Sequence, residues 1–149
     1  MQTYQKYKLL KRIESLKGVE SFKITQDMET LLNTLASENY IRGNYENYIN
    51  DENQIELFWI GIIESKGKEW LKGFNLIKFT CKELGLTYRE LGEAIGYSEE
   101  AISKSARTNK ISVPMQRACE MFLQIKELES KVATLNELSL ILQKLTIKA

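Results

Sequence analysis

One proline in 149 residues, Pro114, and only eight glycines leave long stretches of this chain free to run as uninterrupted helix. Proline removes a backbone donor and clashes inside a helix, and glycine costs roughly 1 kcal/mol there. Their scarcity therefore constrains the fold more than any other feature. The 43% hydrophobic and 28% charged content suits a water-facing helical chain. At this length the apolar content is enough for a core without a disulfide or metal staple. The expectation is an all-α fold: a helical amino-terminal region, a central helix–turn–helix and a long carboxy-terminal helix with a coiled-coil-like seam.

Three regions differ in texture. In residues 1–70, Tyr4, Tyr7, Leu10, Ile13 and Leu16 recur at helical spacing, and Gly18 supplies a stop. A second helix is expected from Thr25, a plausible N-cap, to about Tyr40, with Met28, Leu31, Leu32, Leu35 and Ala36 along its apolar stripe and Glu29 placed for a capping interaction. Ile41–Asn53, rich in Asn, Tyr, Gly and Asp, reads as a loop. Gln54–Ser65 holds seven apolar residues, among them Trp59, and periodicity alone does not separate a buried helix from a core strand there. The helical neighbours, and the lack of visible partner strands, favour a helix. This region is read as a packing, sensing or oligomerisation element that can also receive a protein partner.

Residues 71–117 are punctuated at short intervals. Leu76–Leu84 is amphipathic and ends at Gly85; Thr87 caps Tyr88–Ile95; Gly96 breaks the chain; Ser98 caps a helix from Glu99 to about Ala106; Ser112 opens the next. Gly96 can take the positive φ that lets two helices meet within a few residues, and Gly92 permits a close helix crossing. From Val113 onward no glycine appears. A heptad frame places Ala118, Ile125, Val132 and Ser139 at a, and Met121, Leu128, Leu135 and Leu142 at d, so residues 118–149 read as a dimerisation or bundle helix. Ile125, Leu128, Val132, Leu135 and Leu142 are the candidate dimer contacts.

The 18 residues Leu86–Ser103 resemble the helix–turn–helix of the phage repressor and Cro family. Thr87, Leu91, Gly92, Ile95, Gly96, Ser98 and Ile102 occupy the capping, core and turn positions of that pattern. The resemblance implies that the helix from Glu99 enters the major groove of duplex DNA. Ser98, Glu99, Glu100, Ser103 and Lys104 are then the groove-facing candidates, Tyr88 and Arg89 hold phosphates ahead of them, and Arg107, Asn109 and Lys110 grip the flanking backbone. From Lys78 to Arg117 seven basic residues stand against five glutamates, a modest excess that calls for doubled contacts in a homodimer on a near-palindromic site. Glu99 and Glu100 have two readings: acceptors for a cytosine amino group, or partners of the helix amino-terminal dipole.

Other functions are disfavoured by what the chain lacks. With no histidine, a histidine general base, a Ser-His-Asp triad and a histidine-liganded metal are excluded. Cys81 and Cys119 form no CxxC pair and read as buried thiols. No phosphate-binding loop, GxGxxG or GxSxG is present, so neither enzyme activity nor a cofactor or metal is expected. Tyr40, Tyr45 and Tyr48 are expected to pack on the domain surface, and Trp59 and Trp70 to anchor a core. The longest apolar run, Leu57–Ile63, is far short of the roughly 18 residues that span a bilayer. The amino terminus carries no secretory pattern, so a cytoplasmic chain without membrane partners is expected. The expected function is that of a sequence-specific, double-stranded-DNA-binding, repressor-like transcriptional regulator. The alternative is a non-enzymatic interaction module, adaptor- or antitoxin-like, in which the helix–turn–helix is purely structural.

Overall fold

A computed structural model describes residues 2–16 and 21–146, which divide between two compact units, Met1–Phe74 and Asn75–Ala149. Gly18, the expected stop of the first helix, lies outside the described residues. In the first unit, α1 (Gln2–Leu16) leads to a two-residue strand β1 (Phe22–Lys23), then to α2 (Gln26–Ser37). Strands β2 (Ile41–Ile49) and β3 (Ile55–Ile63) follow, and α3 (Ser65–Gly73) ends the unit. In the second unit, α4 (Leu76–Leu84), α5 (Tyr88–Ile95), α6 (Glu99–Thr108) and α7 (Val113–Thr146) are joined by short turns. No helix among the described residues is long and apolar enough to cross a membrane.

The all-α expectation is overturned by an antiparallel sheet of order β1-β3-β2. The segment read as a loop is β2, and the segment assigned to a helix is β3; they form one hairpin, in register from Ile41 opposite Ile63 to Ile49 opposite Ile55. Its turn is built by Asn50, whose side-chain oxygen accepts from the Glu52 and Gln54 amides at 3.1 and 2.9 Å, while Asn53 takes a positive φ of 58°. An Asx-type turn of this kind redirects the chain without a glycine.

The physical reason for the misreading lies in β3. Trp59 and Ile63 are buried on the helix-covered face, whereas Phe58 and Ile60 on the opposite face are only half-buried and Ile62 is exposed. Both faces are apolar, so the alternation that betrays a strand is missing. In β2 the opposite happens: Tyr45 and Asn47 stand on the covered side, and polarity hides the strand.

Trp59 organises this unit. It is 2% exposed and packs with Leu9, Leu10, Ile13, Phe22, Ile24, Leu32, Leu35, Ile41 and Ile63. Gly43 and Gly61 face each other across the hairpin, and a Cβ at either would run into the Trp59 indole and a carbonyl of the facing strand. The paired glycines therefore let the ring lie flat on the sheet. Gly43→Ala and Gly61→Ala are each expected to destabilise the chain by about 1–3 kcal/mol through overpacking. Gly73→Ala, where a Cβ meets nothing within 4 Å, is expected to be neutral or slightly stabilising. Thermal denaturation of the three variants checks this ranking.

The tyrosines of the hairpin region pack on the surface as expected. Tyr45 donates from its hydroxyl to the Asn33 side chain at 2.6 Å, and Tyr48 sits edge-on against Phe58 with ring centroids 5.0 Å apart. Tyr40 lies between the Lys6 and Lys66 ammonium groups, at 3.4 and 4.4 Å from the ring centroid. Thr25 stands at the N-cap of α2, but its side chain makes no capping hydrogen bond, and the helix ends at Ser37 rather than Tyr40. Asn39, with a φ of 61°, turns the chain there.

Candidate nucleic-acid interface

Every turn in the second unit has a local cause. Asn75 caps α4, its side-chain oxygen accepting from the Lys78 amide at 3.0 Å while its amino group donates to the Ala106 carbonyl at 2.8 Å. That second bond ties the start of α4 to the end of α6, a role the sequence did not disclose. Gly85 ends α4 in the left-handed conformation, and the Leu86 amide closes the helix on the Cys81 carbonyl at 2.9 Å. Thr87 and Glu90 form a reciprocal capping box at the start of α5: the Glu90 amide donates to the Thr87 hydroxyl at 3.2 Å, and the Thr87 amide donates to the Glu90 carboxylate at 2.7 Å. These bonds from Thr87 hold the Glu90 carboxyl below the usual carboxylate range. The box is intact above that range and loosens as pH falls through the depressed value.

The turn between α5 and α6 rests on two glycines. Gly96 has a φ of 79°, and the Tyr97 amide donates to the Gly92 carbonyl at 2.8 Å. At Gly92 a Cβ would stand 2.5 Å from the Tyr97 carbonyl oxygen, so only glycine lets the chain return this closely. Ser98 caps α6 by accepting from the Ala101 amide at 3.3 Å, and Asn109, with a φ of 52°, ends it. Leu91 and Ile102 are fully buried, and Leu76, Ile77, Thr80, Cys81, Ala106, Met115, Cys119 and Leu123 complete the core; Ile95 is only partly buried. Burial pushes the Cys119 thiol up to about 11 and raises that of Cys81, so both are protonated, inert core residues at neutral pH. No cluster of three potential metal ligands occurs among the described residues.

The sequence-selected residues fall into distinct positions on this scaffold. On α6 the buried stripe runs through Ile102 and Ala106, so helical periodicity turns Glu100, Lys104 and Arg107 to the opposite, exposed side, with half-buried Ser103 at its flank. Lys104, Arg107 and Lys110 make no ion pair among the described residues. Glu99 has a different setting. Arg89 on α5 holds Glu93 at 3.0 Å, and Glu99 lies near enough to add to the stabilisation of its charge. Arg89 is thus already compensated by Glu93, and the outward stripe of α6 carries one carboxylate, Glu100, ahead of two cations, Lys104 and Arg107, that pair with no described residue. Tyr88 is half-buried at the start of α5; Ser98, Asn109 and Lys110 are exposed at the two ends of α6.

α7 begins where Ser112 accepts from the Met115 amide at 3.4 Å. Its first turns belong to the core through Met115, Cys119 and Leu123. Beyond Leu123 its apolar residues face solvent: Ile125 is 49% exposed, Leu128 52%, Val132 55%, Leu135 63% and Leu142 62%. Comparison of the chain with family models, with curated proteins and with solved structures gives no match.

Proposed function

We propose that this chain is a double-stranded-DNA-binding regulator of transcription in the cytoplasm, acting as a homodimer on a near-palindromic site without enzymatic activity, cofactor or metal. One observation carries the reading. The second helix of a tightly capped helix–turn–helix presents Lys104 and Arg107 along its outward stripe, without an ion pair to any described residue, with Lys110 just beyond its end. Free cations on the outer side of such a helix suit phosphates and guanine edges, and the amino-terminal half, with Ser98, Glu100 and Ser103, suits base contacts. Arg89 and Tyr88 at the start of α5 are placed for the backbone, although Arg89 must exchange Glu93 for a phosphate to reach it.

The double variant Lys104→Ala/Arg107→Ala is expected to weaken duplex binding about tenfold or more and to lower the logarithmic salt slope by about 2 per subunit. Fluorescence anisotropy across a salt series measures both. Unchanged affinity in that variant contradicts the docking geometry. A second reading, an interaction module with a purely structural helix–turn–helix, is favoured by the long solvent-facing apolar stripe of α7. It implies binding that added salt leaves unchanged, because apolar docking releases no counterions.

A further inference from the structure

The sheet of the first unit is open on one side. β1, on the far side of β3, is two residues long, but β2 is nine residues long and no strand lies beyond it among the described residues. The phase of the hairpin bonds identifies which of its groups are free. The Ile24 amide donates to the Leu57 carbonyl at 3.0 Å, so Leu57 turns its backbone groups away from β2. Successive residues alternate in this respect, and Leu57 is opposite Asn47. The even-numbered residues of β2 are therefore bonded to β3. Gly43, Tyr45, Asn47 and Ile49, all exposed, turn their N–H and C=O groups to the edge with no strand partner among the described residues; Ile41 shares this phase but is buried.

An exposed edge of this length is a template for another strand, and proteins normally blunt it with lysines, proline or a covering element. β2 contains no lysine and no proline; its two charges are Arg42 and Glu46, four residues apart on the outer face. That spacing is self-complementary. When two copies of β2 run antiparallel about a two-fold axis through Asn44, Gly43 bonds to Tyr45 of the second copy. In the same register Arg42 stands directly opposite Glu46, twice over. Moving the axis to Tyr45 leaves Arg42 opposite Tyr48 and Glu46 opposite Asn44, and moving it to Glu46 sets like charges against each other. Opposite charges directly across a strand pair stabilise it and like charges oppose it, so charge selects the Asn44 register.

We propose that β2 is a self-association edge through which two copies of this chain join their sheets antiparallel, with Asn44 on the two-fold axis and reciprocal Arg42–Glu46 pairs on either side. The occupant is a second copy because the charge pattern complements itself. Arg42 is 77% exposed at its side chain and holds Glu64 through Nε at 3.1 Å, which leaves its terminal nitrogens for the second copy. Glu46 accepts from the Tyr48 hydroxyl through Oε2 at 2.8 Å, which leaves Oε1. This edge is separate from the α7 seam, and the proposal does not depend on DNA binding.

The test is oxidative cross-linking of the full-length chain. Asn44→Cys places two thiols opposite each other at a non-hydrogen-bonded pair, with Cα atoms about 4.5 Å apart, close enough for a disulfide. Asn47→Cys, on the other face and several residues from its own copy, is the control; the native Cys81 and Cys119 are buried. The expected result is covalent dimer from Asn44→Cys and little from Asn47→Cys. Adding Arg42→Glu or Glu46→Arg to Asn44→Cys should lower its cross-linking about tenfold, and adding both should restore it. Circular dichroism confirms that each exposed-site variant is folded. Equal cross-linking of the two cysteine variants, or single charge reversals without effect, overturns the proposal. An α7 dimer alone gives neither the Asn44 preference nor the charge-swap rescue, so the two interfaces are told apart.

Discussion

Replacing Leu128 and Leu135 together by aspartate is expected to halve the particle mass measured by light scattering and to reduce duplex affinity by about a hundredfold or more. Both leucines sit at d positions of the heptad frame on α7, more than half exposed. The heptad frame continues through Ile125, Val132 and Leu142 on the same side, each about half exposed or more. Burying one leucine contributes about 1.5–3 kcal/mol. Four such side chains per seam, each already about half covered on its own helix, make the dimerisation constant sensitive by at least about a hundredfold, at 1.4 kcal/mol per tenfold. Affinity follows because one copy offers few cations: Lys104, Arg107 and Lys110, with Arg89 partly engaged by Glu93. Arg42→Glu is introduced into both the parent and the double variant so that the β2 edge contributes nothing to the mass. In that background a parent that scatters as a monomer contradicts the seam, and so does a double variant of unchanged mass.

The second large effect is expected at Gly92. An alanine there gains roughly 1 kcal/mol of helix propensity. It also places a methyl group 2.5 Å from the Tyr97 carbonyl oxygen, which is backbone and cannot rotate away. The strain outweighs the gain, because relief requires α6 to shift and breaks the Tyr97–Gly92 bond at 2.8 Å. Gly92→Ala is expected to lower the stability of the second unit by about 1–3 kcal/mol, a fall of roughly 10 °C in its melting temperature. DNA binding should be lost beyond what the stability loss explains, since the displaced helix is the one that carries Lys104 and Arg107. Scanning calorimetry and anisotropy on one sample separate the two effects. A variant that melts with the wild type shows that the turn has more room than this contact implies.

What could be read from the chain beforehand follows the range of the interactions. The turn from α5 to α6 is specified by neighbours: Thr87 with Glu90, Gly92 with Tyr97, Ser98 with Ala101. Each signal lies within a few residues of its effect, so order alone reveals it. The hairpin depends on Gly43 finding Gly61 and Tyr45 finding Trp59, pairings that no local window contains. β3 further conceals itself by being apolar on both faces, and β2 by carrying asparagine and tyrosine where a buried strand would carry valine.

The candidate interface divides in the same way. Which helix presents its outer side follows from the caps, and the outward placement of Lys104 and Arg107 follows from the periodicity of Ile102 and Ala106. That the Glu99 carboxylate adds to the stabilisation of the Arg89 charge depends on how α5 and α6 cross, a three-dimensional fact. The bond from Asn75 to the Ala106 carbonyl is of this kind too, linking residues 31 positions apart.

The most direct measurement is an anisotropy titration of the full-length chain against labelled random duplex DNA, at low and then physiological salt, with the mass of the same sample from light scattering. A self-associated chain, dimeric or larger, whose duplex affinity falls steeply with salt, by a slope of about −0.9 for each phosphate neutralised, is the expected result. A chain that ignores duplex DNA even at low salt contradicts it, and assigns the helix–turn–helix of α5 and α6 to architecture alone.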